Sequence, residues 1–254
     1  MTTRTYETIK VQFQESICFL QFDRPEAKNT INGRLIAECR EVLAQCEEFA
    51  TVLVISGSPE VFCFGADFQS IAATAEQDAA PGPIYDLWLQ MATGSFVTIA
   101  NVRGQVNAGG VGFVAASDIV LADETAQFSL SELLFGLYPA CVLPFLIRRI
   151  GFQKTHYLTL MTQPIAVKQA SEWGLVDAFE PSTEVLLRRH LQRLRRLSKT
   201  AIRRYKSYMN QINPPLENLK DSAVAGNLEV FTDANNLQAI TRYVERGLFP
   251  WENA

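Results

Sequence analysis

Val106-Asn107-Ala108-Gly109-Gly110-Val111-Gly112-Phe113 places three glycines within four positions, between the apolar run at 97–102 and the small-residue run Val114-Ala115-Ala116-Ser117. Glycines let backbone N–H groups approach a ligand, and a helix starting at this point would aim its positive end at the same spot. The chemistry on offer is the holding of an anionic oxygen. A tight strand-to-helix turn accounts for a lone glycine cluster equally well. Two other stretches change the balance: Phe62-Cys63-Phe64-Gly65-Ala66-Asp67-Phe68, and the segment from Ala126 through Glu132 to Pro139.

The elements that must position these turns follow from periodicity. Residues 9–13 and 17–22 are short strand-favouring runs joined through Gln14-Glu15-Ser16, which predicts a hairpin. From Thr30, the residues Ile31, Leu35, Ile36, Cys39, Val42, Leu43, Cys46 and Phe49 recur at helical spacing, with Asn29 or Thr30 able to cap. Residues 52–56 form a continuous apolar run closed by Gly57-Ser58-Pro59, the pattern of a buried parallel strand. Further strands are expected at 97–102, 119–122 and 127–129. This repetition suits a spiral core with helices outside, and periodicity alone leaves a doubly wound sheet equally open. The small, polar, proline-rich stretch from Ala73 to Pro83 predicts a mobile loop able to gate a site. Residues 186–209 predict charged helix over an apolar stripe, broken at Pro214-Pro215. The tail ends at Gly247-Leu248-Phe249-Pro250-Trp251, whose apolar side chains would suit a subunit contact.

A chain of 254 residues, 48% hydrophobic, can bury a sizeable core, as one large domain or as a core plus an appendage. Its net charge of −4 excludes nucleic acid as the main ligand, because neutralising phosphates needs a concentrated basic excess. No stretch reads as a signal peptide or as an apolar span long enough for a membrane, so a cytoplasmic protein is expected. The five cysteines, Cys18, Cys39, Cys46, Cys63 and Cys141, are scattered among apolar neighbours and read as reduced core residues. With His156 and His190 as the only histidines and no paired Cys/His spacing, no metal is expected.

Taken together, the two glycine turns, Val102-Arg103-Gly104, Ser117-Asp118-Ile119 and the Ala126–Pro139 stretch resemble the crotonase superfamily in order and spacing, from about Ile17 to Phe179. The resemblance implies an α/β fold: a crotonase-like spiral of repeated ββα units over residues 1–185, with a C-terminal helical trimerisation region over 186–254. It also implies roles. Ala66 and Gly109 would donate their backbone N–H groups to a thioester oxygen, Glu132 would serve as general base or acid, and Gly65, Gly110 and Asp67 would shape the loops. Where hydratases of the superfamily carry a first glutamate, three residues after the oxyanion glycine, this chain has Gly112, which carries no proton. Tyr85 and Asp86 fall where crotonases often place active-site side chains. They are candidates to help the leaving hydroxyl, with helix capping by Asp86 and packing by Tyr85 as the structural alternative. Asn107 could position that hydroxyl, and Glu132 alone can serve both proton transfers.

Asn29-Thr30-Ile31-Asn32, Val61 to Phe68, Tyr85-Asp86-Leu87-Trp88, Val106 to Gly110, Phe128 to Cys141 and Phe249 to Glu252 further resemble the first crotonase of bacterial polyketide β-branching cassettes. The likeness implies a hydro-lyase that dehydrates 3-hydroxy-3-methylglutaryl on an acyl carrier protein to 3-methylglutaconyl. Phosphopantetheine or CoA would then be part of the substrate, with no separate cofactor, in a homotrimer or dimer of trimers. The alternatives are another crotonase activity on CoA thioesters (hydration, isomerisation or decarboxylation) and a non-catalytic scaffold.

Overall fold

A computed structural model describes residues 5–73, 81–213 and 215–252. Strands β1 (Ile9–Gln14) and β2 (Ile17–Phe22) form the expected antiparallel hairpin, Ile9 opposite Phe22. Helix α1 (Gly33–Phe49) begins later than expected. Its cap is Asn32, whose side chain accepts from Leu35 N–H at 2.9 Å. Asn29 cannot cap because its side chain is committed elsewhere, accepting from Arg24 N–H and donating to the Val61 and Phe62 carbonyls.

The chain then runs through β3 (Val52–Ser56), β4 (Val61–Cys63), α2 (Phe68–Ala73), α3 (Gly82–Thr93), β5 (Val97–Val102), β6 (Gln105–Asn107), α4 (Gly109–Ala116), β7 (Ile119–Asp123) and β8 (Gln127–Ser129). Next come α5 (Leu143–Ile150), α6 (Phe152–Met161), β9 (Ile165–Ala166), α7 (Val167–Glu172) and β10 (Ala178–Glu180). Helices α8 (Thr183–Leu194), α9 (Lys199–Ile212), α10 (Lys220–Thr232) and α11 (Ala234–Arg246) complete the described chain. The expected gate falls mainly on 74–80, outside the described residues.

Two sheets resolve the choice between spiral and doubly wound architecture. The first has the order β1-β2-β3-β5-β7-β10 and the second β4-β6-β8-β9. Each turn of chain therefore lays one strand in the first sheet, one in the second, and then a helix: β3, β4, α2; β5, β6, α4; β7, β8, α5. Parallel pairing stacks the turns, with Val54 beside Ile99 and Asn107 beside Ser129. The fold is a spiral of strand-strand-helix turns, not a doubly wound sheet.

Strand β3 is buried on both faces, as a parallel strand covered on either side must be. Leu53 and Ile55 join the main core, while Val52 and Val54 pack with Leu186 and Leu191 of α8. One expectation needs correction: the helices do not all lie outside. Residues 110–116 of α4 are buried all round, because the sequence there is small and apolar on every face. The charged C-terminal helices follow the stripe reading. Lys206 of α9 reaches inward to the carbonyls of Met91 and Phe96 and to Asp118 Oδ2 at 2.7 Å. Lys199 binds the Cys46 and Ala50 carbonyls at the end of α1. All five cysteines are free and buried. Among the described residues no helix is long and apolar enough to cross a membrane.

Candidate active site

The two glycine turns meet. Gly65 adopts φ +91°, a conformation that L side chains rarely adopt, and a β-carbon on it would lie 3.3 Å from Gly109 N and 2.6 Å from the Ala108 β-carbon. An isolated parallel bridge joins Ile31 to Ala66. It uses Ile31 N–H to Gly65 O at 2.7 Å and Asp67 N–H to Ile31 O at 3.0 Å, so the intervening Ala66 N–H points away from Ile31. Gly109 is the first residue of α4, and the first N–H groups of a helix have no partner within it. A β-carbon on Gly109 would lie 4.0 Å from Ala66 N and 3.7 Å from the Gly65 α-carbon, so the two backbone turns are in contact. The non-glycine Ala108 sits at φ 52°, ψ −124°, a strained turn that sets the direction of the Gly109 N–H.

The supports match the expected loop-shaping residues. Gly110 lets α4 approach the Cys63 carbonyl, which a β-carbon would meet at 2.2 Å. Burial alone would raise the Asp67 carboxyl, but the Arg24 guanidinium, bonded at 2.9 Å, and the Ser70 N–H hold it below the usual carboxylate value. It stays ionised and ties Arg24 to the start of α2.

Glu132 opens a single 3-10 turn, Glu132–Phe135, and is buried. Desolvation pushes its carboxyl from 4.5 up to about 7, against the weaker pull of the Ser131 and Glu132 backbone N–H groups. Its Oε2 has no hydrogen-bond partner among the described residues. Asn107 connects this turn to the oxyanion loop. Its Oδ1 accepts from Ser129 Oγ at 2.8 Å and its Nδ2 donates to Ser131 Oγ at 2.9 Å, while Ala108 N–H donates to Ser129 O. One N–H and one lone pair of the amide are thus used in holding Ser129 and the Ser131 that precedes Glu132, and a second N–H and a second lone pair are left over.

Tyr85 and Asp86, expected to help the leaving hydroxyl, have other partners. The Tyr85 ring is fully buried against Phe145, and its hydroxyl donates to Leu216 O at 2.6 Å. Burial pushes that hydroxyl well above the ordinary tyrosine value, which makes it a poor acid near neutral pH. Asp86 pairs with Lys220 at 2.6 Å and lies inside α3, so it does not cap that helix. Both side chains tie α3 to the segment around α10.

Sequence reasoning missed two contributors. Trp88 of α3 covers Gly112: a β-carbon there would lie 2.4–2.6 Å from three atoms of the indole. The signal was the bare Gly112 itself, since space vacated by a glutamate must be filled. We expect Gly112→Ala to cost about 1–3 kcal/mol in urea unfolding, because the buried ring has to shift. The second contributor is α11, whose Asn236 donates to Gly136 O at 3.2 Å, while Tyr243 packs on Phe135. The Glu132 turn is thus clamped by the C-terminal helices, a long-range contact with no local signature.

The sequence profile described as Enoyl-CoA hydratase/isomerase matches residues 12–254. The chain belongs to this family. This crotonase is 59% identical to the Bacillaene synthase dehydratase PksH of Bacillus subtilis, over 98% of both chains. The crystal structure of a polyketide biosynthesis enoyl-CoA hydratase, also pksH from Bacillus subtilis, superimposes with a TM-score of 0.94 at 58% identity, covering 97% of this chain and 100% of that one. The 2,3-dehydroadipyl-CoA hydratase of Escherichia coli is 30% identical over 68% of this chain and 69% of its own. The crotonase is therefore similar from end to end to a polyketide dehydratase, and over about two-thirds of its length to a hydratase of a CoA ester.

Proposed function

We propose that this crotonase dehydrates 3-hydroxy-3-methylglutaryl, held as a thioester on an acyl carrier protein, to 3-methylglutaconyl in polyketide β-branching. The observation that carries the reading is a lone buried carboxyl, unpartnered at Oε2, joined through Ser131 and Asn107 to the turn of Gly109, against which the Ala66 loop packs. Full-length similarity to a polyketide dehydratase supports the same class of substrate.

Ionised Glu132 takes a proton from the carbon beside the thioester carbonyl. The C–H electron pair enters the thioester as an enolate, whose oxygen is held by Ala66 and Gly109 N–H. That pair then forms the carbon–carbon double bond as the bond to the hydroxyl breaks, and the departing oxygen takes the proton back from Glu132 and leaves as water. One carboxyl near pH 7 suits both halves, since it can accept and release a proton at comparable cost. In this mechanism Tyr85 and Asp86 hold α3 in place. The thioester arm, phosphopantetheine or CoA, is substrate, and no separate cofactor enters.

Purified protein incubated with the carrier-bound hydroxy acid should lose one water, read as a mass change on the carrier. Loss of carbon dioxide would point to decarboxylation, and no change to a scaffold. The carrier-bound substrate should also react more efficiently than the CoA ester, with a difference that shrinks as salt rises. Equal efficiencies at every salt concentration would remove the carrier protein as partner. Exposed Phe152, Tyr157, Leu160 and Met161 on α6 support self-assembly as a trimer or a dimer of trimers, which sedimentation would measure.

A further inference from the structure

The tail Gly247-Leu248-Phe249-Pro250-Trp251, which the sequence offers as a subunit contact, does not wholly face outward. Phe249 turns back onto Phe135, ring centroids 5.8 Å apart, and onto Tyr243 at 5.1 Å, while Trp251 stacks on it at 4.9 Å and stays exposed. The turn is held closed. Phe249 N–H donates to Glu252 Oε2 at 2.7 Å, Glu252 N–H to Phe249 O at 3.0 Å, and Arg242 of α11 donates to the Glu252 carbonyl.

These rings belong to a small core of their own, built on Phe135, Leu137, Val230 and Ile240. Phe68 packs there too, edge-on to Phe135 at 5.3 Å. Phe68 begins α2 two residues after Ala66, and Phe135 ends the 3-10 turn that Glu132 begins. The segments that carry the proposed donor and the proposed base therefore meet ring to ring. Neither ring belongs to the main core.

We propose that Phe249 is a positioning residue: by packing on Phe135 it fixes the Glu132 turn relative to the oxyanion loop. The inference rests on the proton abstraction described above and makes the C-terminal tail part of its alignment. Phe249 acts through Phe135 and not on the substrate. Removing the ring leaves a void beside Phe135 into which the turn can relax, and a misplacement of about 1 Å can cost about a hundredfold in rate. An alignment needed for the transition state shows in turnover before it shows in binding.

On the carrier-bound 3-hydroxy-3-methylglutaryl substrate, Phe249→Ala should lower kcat about 10–100-fold with KM changed by less than about threefold. Phe249→Leu refills most of the space and should recover kcat to within about threefold of wild type. Phe249 is only partly buried and lies near the end of the chain, so both variants fold. The control is Leu186→Ala, a cavity in the separate cluster under α8, which should melt lower than wild type and keep its kcat. If Phe249→Ala loses no more kcat than this control, or Phe249→Leu fails to recover it, the inference is overturned. Phe249→Ala should also sediment as wild type does; assembly lost together with kcat would make the tail a subunit contact and overturn the inference as well. A further readout needs no loss of water. Exchange of the protons beside the thioester carbonyl for solvent deuterium, followed by NMR on 3-hydroxy-3-methylglutaryl-CoA, should slow in Phe249→Ala as kcat does. A wild type that exchanges without losing water fails as a dehydratase while the slowed exchange upholds the inference, and one that does neither overturns both.

Discussion

Glu132→Gln lowers kcat for water loss by about a thousandfold or more while the protein stays folded, since positioned acid–base groups contribute about 10²–10⁴-fold and this one serves twice. The amide matches the carboxylate in volume and cannot accept the proton. A folded variant retaining near-normal dehydration would remove Glu132 from the chemistry. In wild type, kcat/KM should climb about tenfold per pH unit below about pH 7 and level off above it, as the buried carboxyl ionises. Stability should run the other way. A carboxyl whose folded value, about 7, lies above its ordinary 4.5 binds more protons in the folded state, so stability falls as pH rises through that window. The gap is worth roughly 3 kcal/mol in order of magnitude. Glu132→Gln should therefore melt higher than wild type at pH 8, and the difference should vanish below about pH 4.5. Equal melting at pH 8 would mean that the charged carboxyl is already well solvated.

Gly109→Pro removes one oxyanion donor and should cost about 10²–10³-fold in kcat. That N–H has no helical acceptor, but the proline ring presses on Ile31 and on the left-handed Ala108, so the melting of the variant is measured alongside its turnover. Thioester binding, measured by titration with a non-reacting CoA ester, should weaken far less than turnover, because the charge that the donor meets develops only in the transition state. Glycolate at position 109, an ester in place of the amide, deletes the N–H with no ring and should give the same loss. If binding falls as far as kcat in both variants, the N–H acts on the ground state and the oxyanion assignment fails.

Much of this arrangement was legible in the residues. The hairpin, the buried β3 run and the strands at 97–102 and 119–122 are local consequences of apolar runs bounded by turn residues, and they reappear as β1 to β3, β5 and β7. The glycines at 65, 109 and 110 announced close backbone approach, because glycine permits what a β-carbon forbids. Their order along the chain pointed to the family. Other features depended on distance in sequence. Whether alternating strands formed one sheet or two was decided by pairing partners, such as Asn107 with Ser129, which periodicity does not encode. Asn29 looked like a cap until the fold gave its amide to Arg24, Val61 and Phe62. Tyr85 looked like an acid until Leu216, 131 residues on, took its hydroxyl. Gly112 showed in the sequence only that a carboxylate was missing, and packing determined what took its place. The indole of Trp88, carried in on α3, fills the space. The residue types alone determined which groups could carry charge or leave room for it. Burial and long-range pairing, which exist only once distant segments meet, decided which of those groups remain free to act.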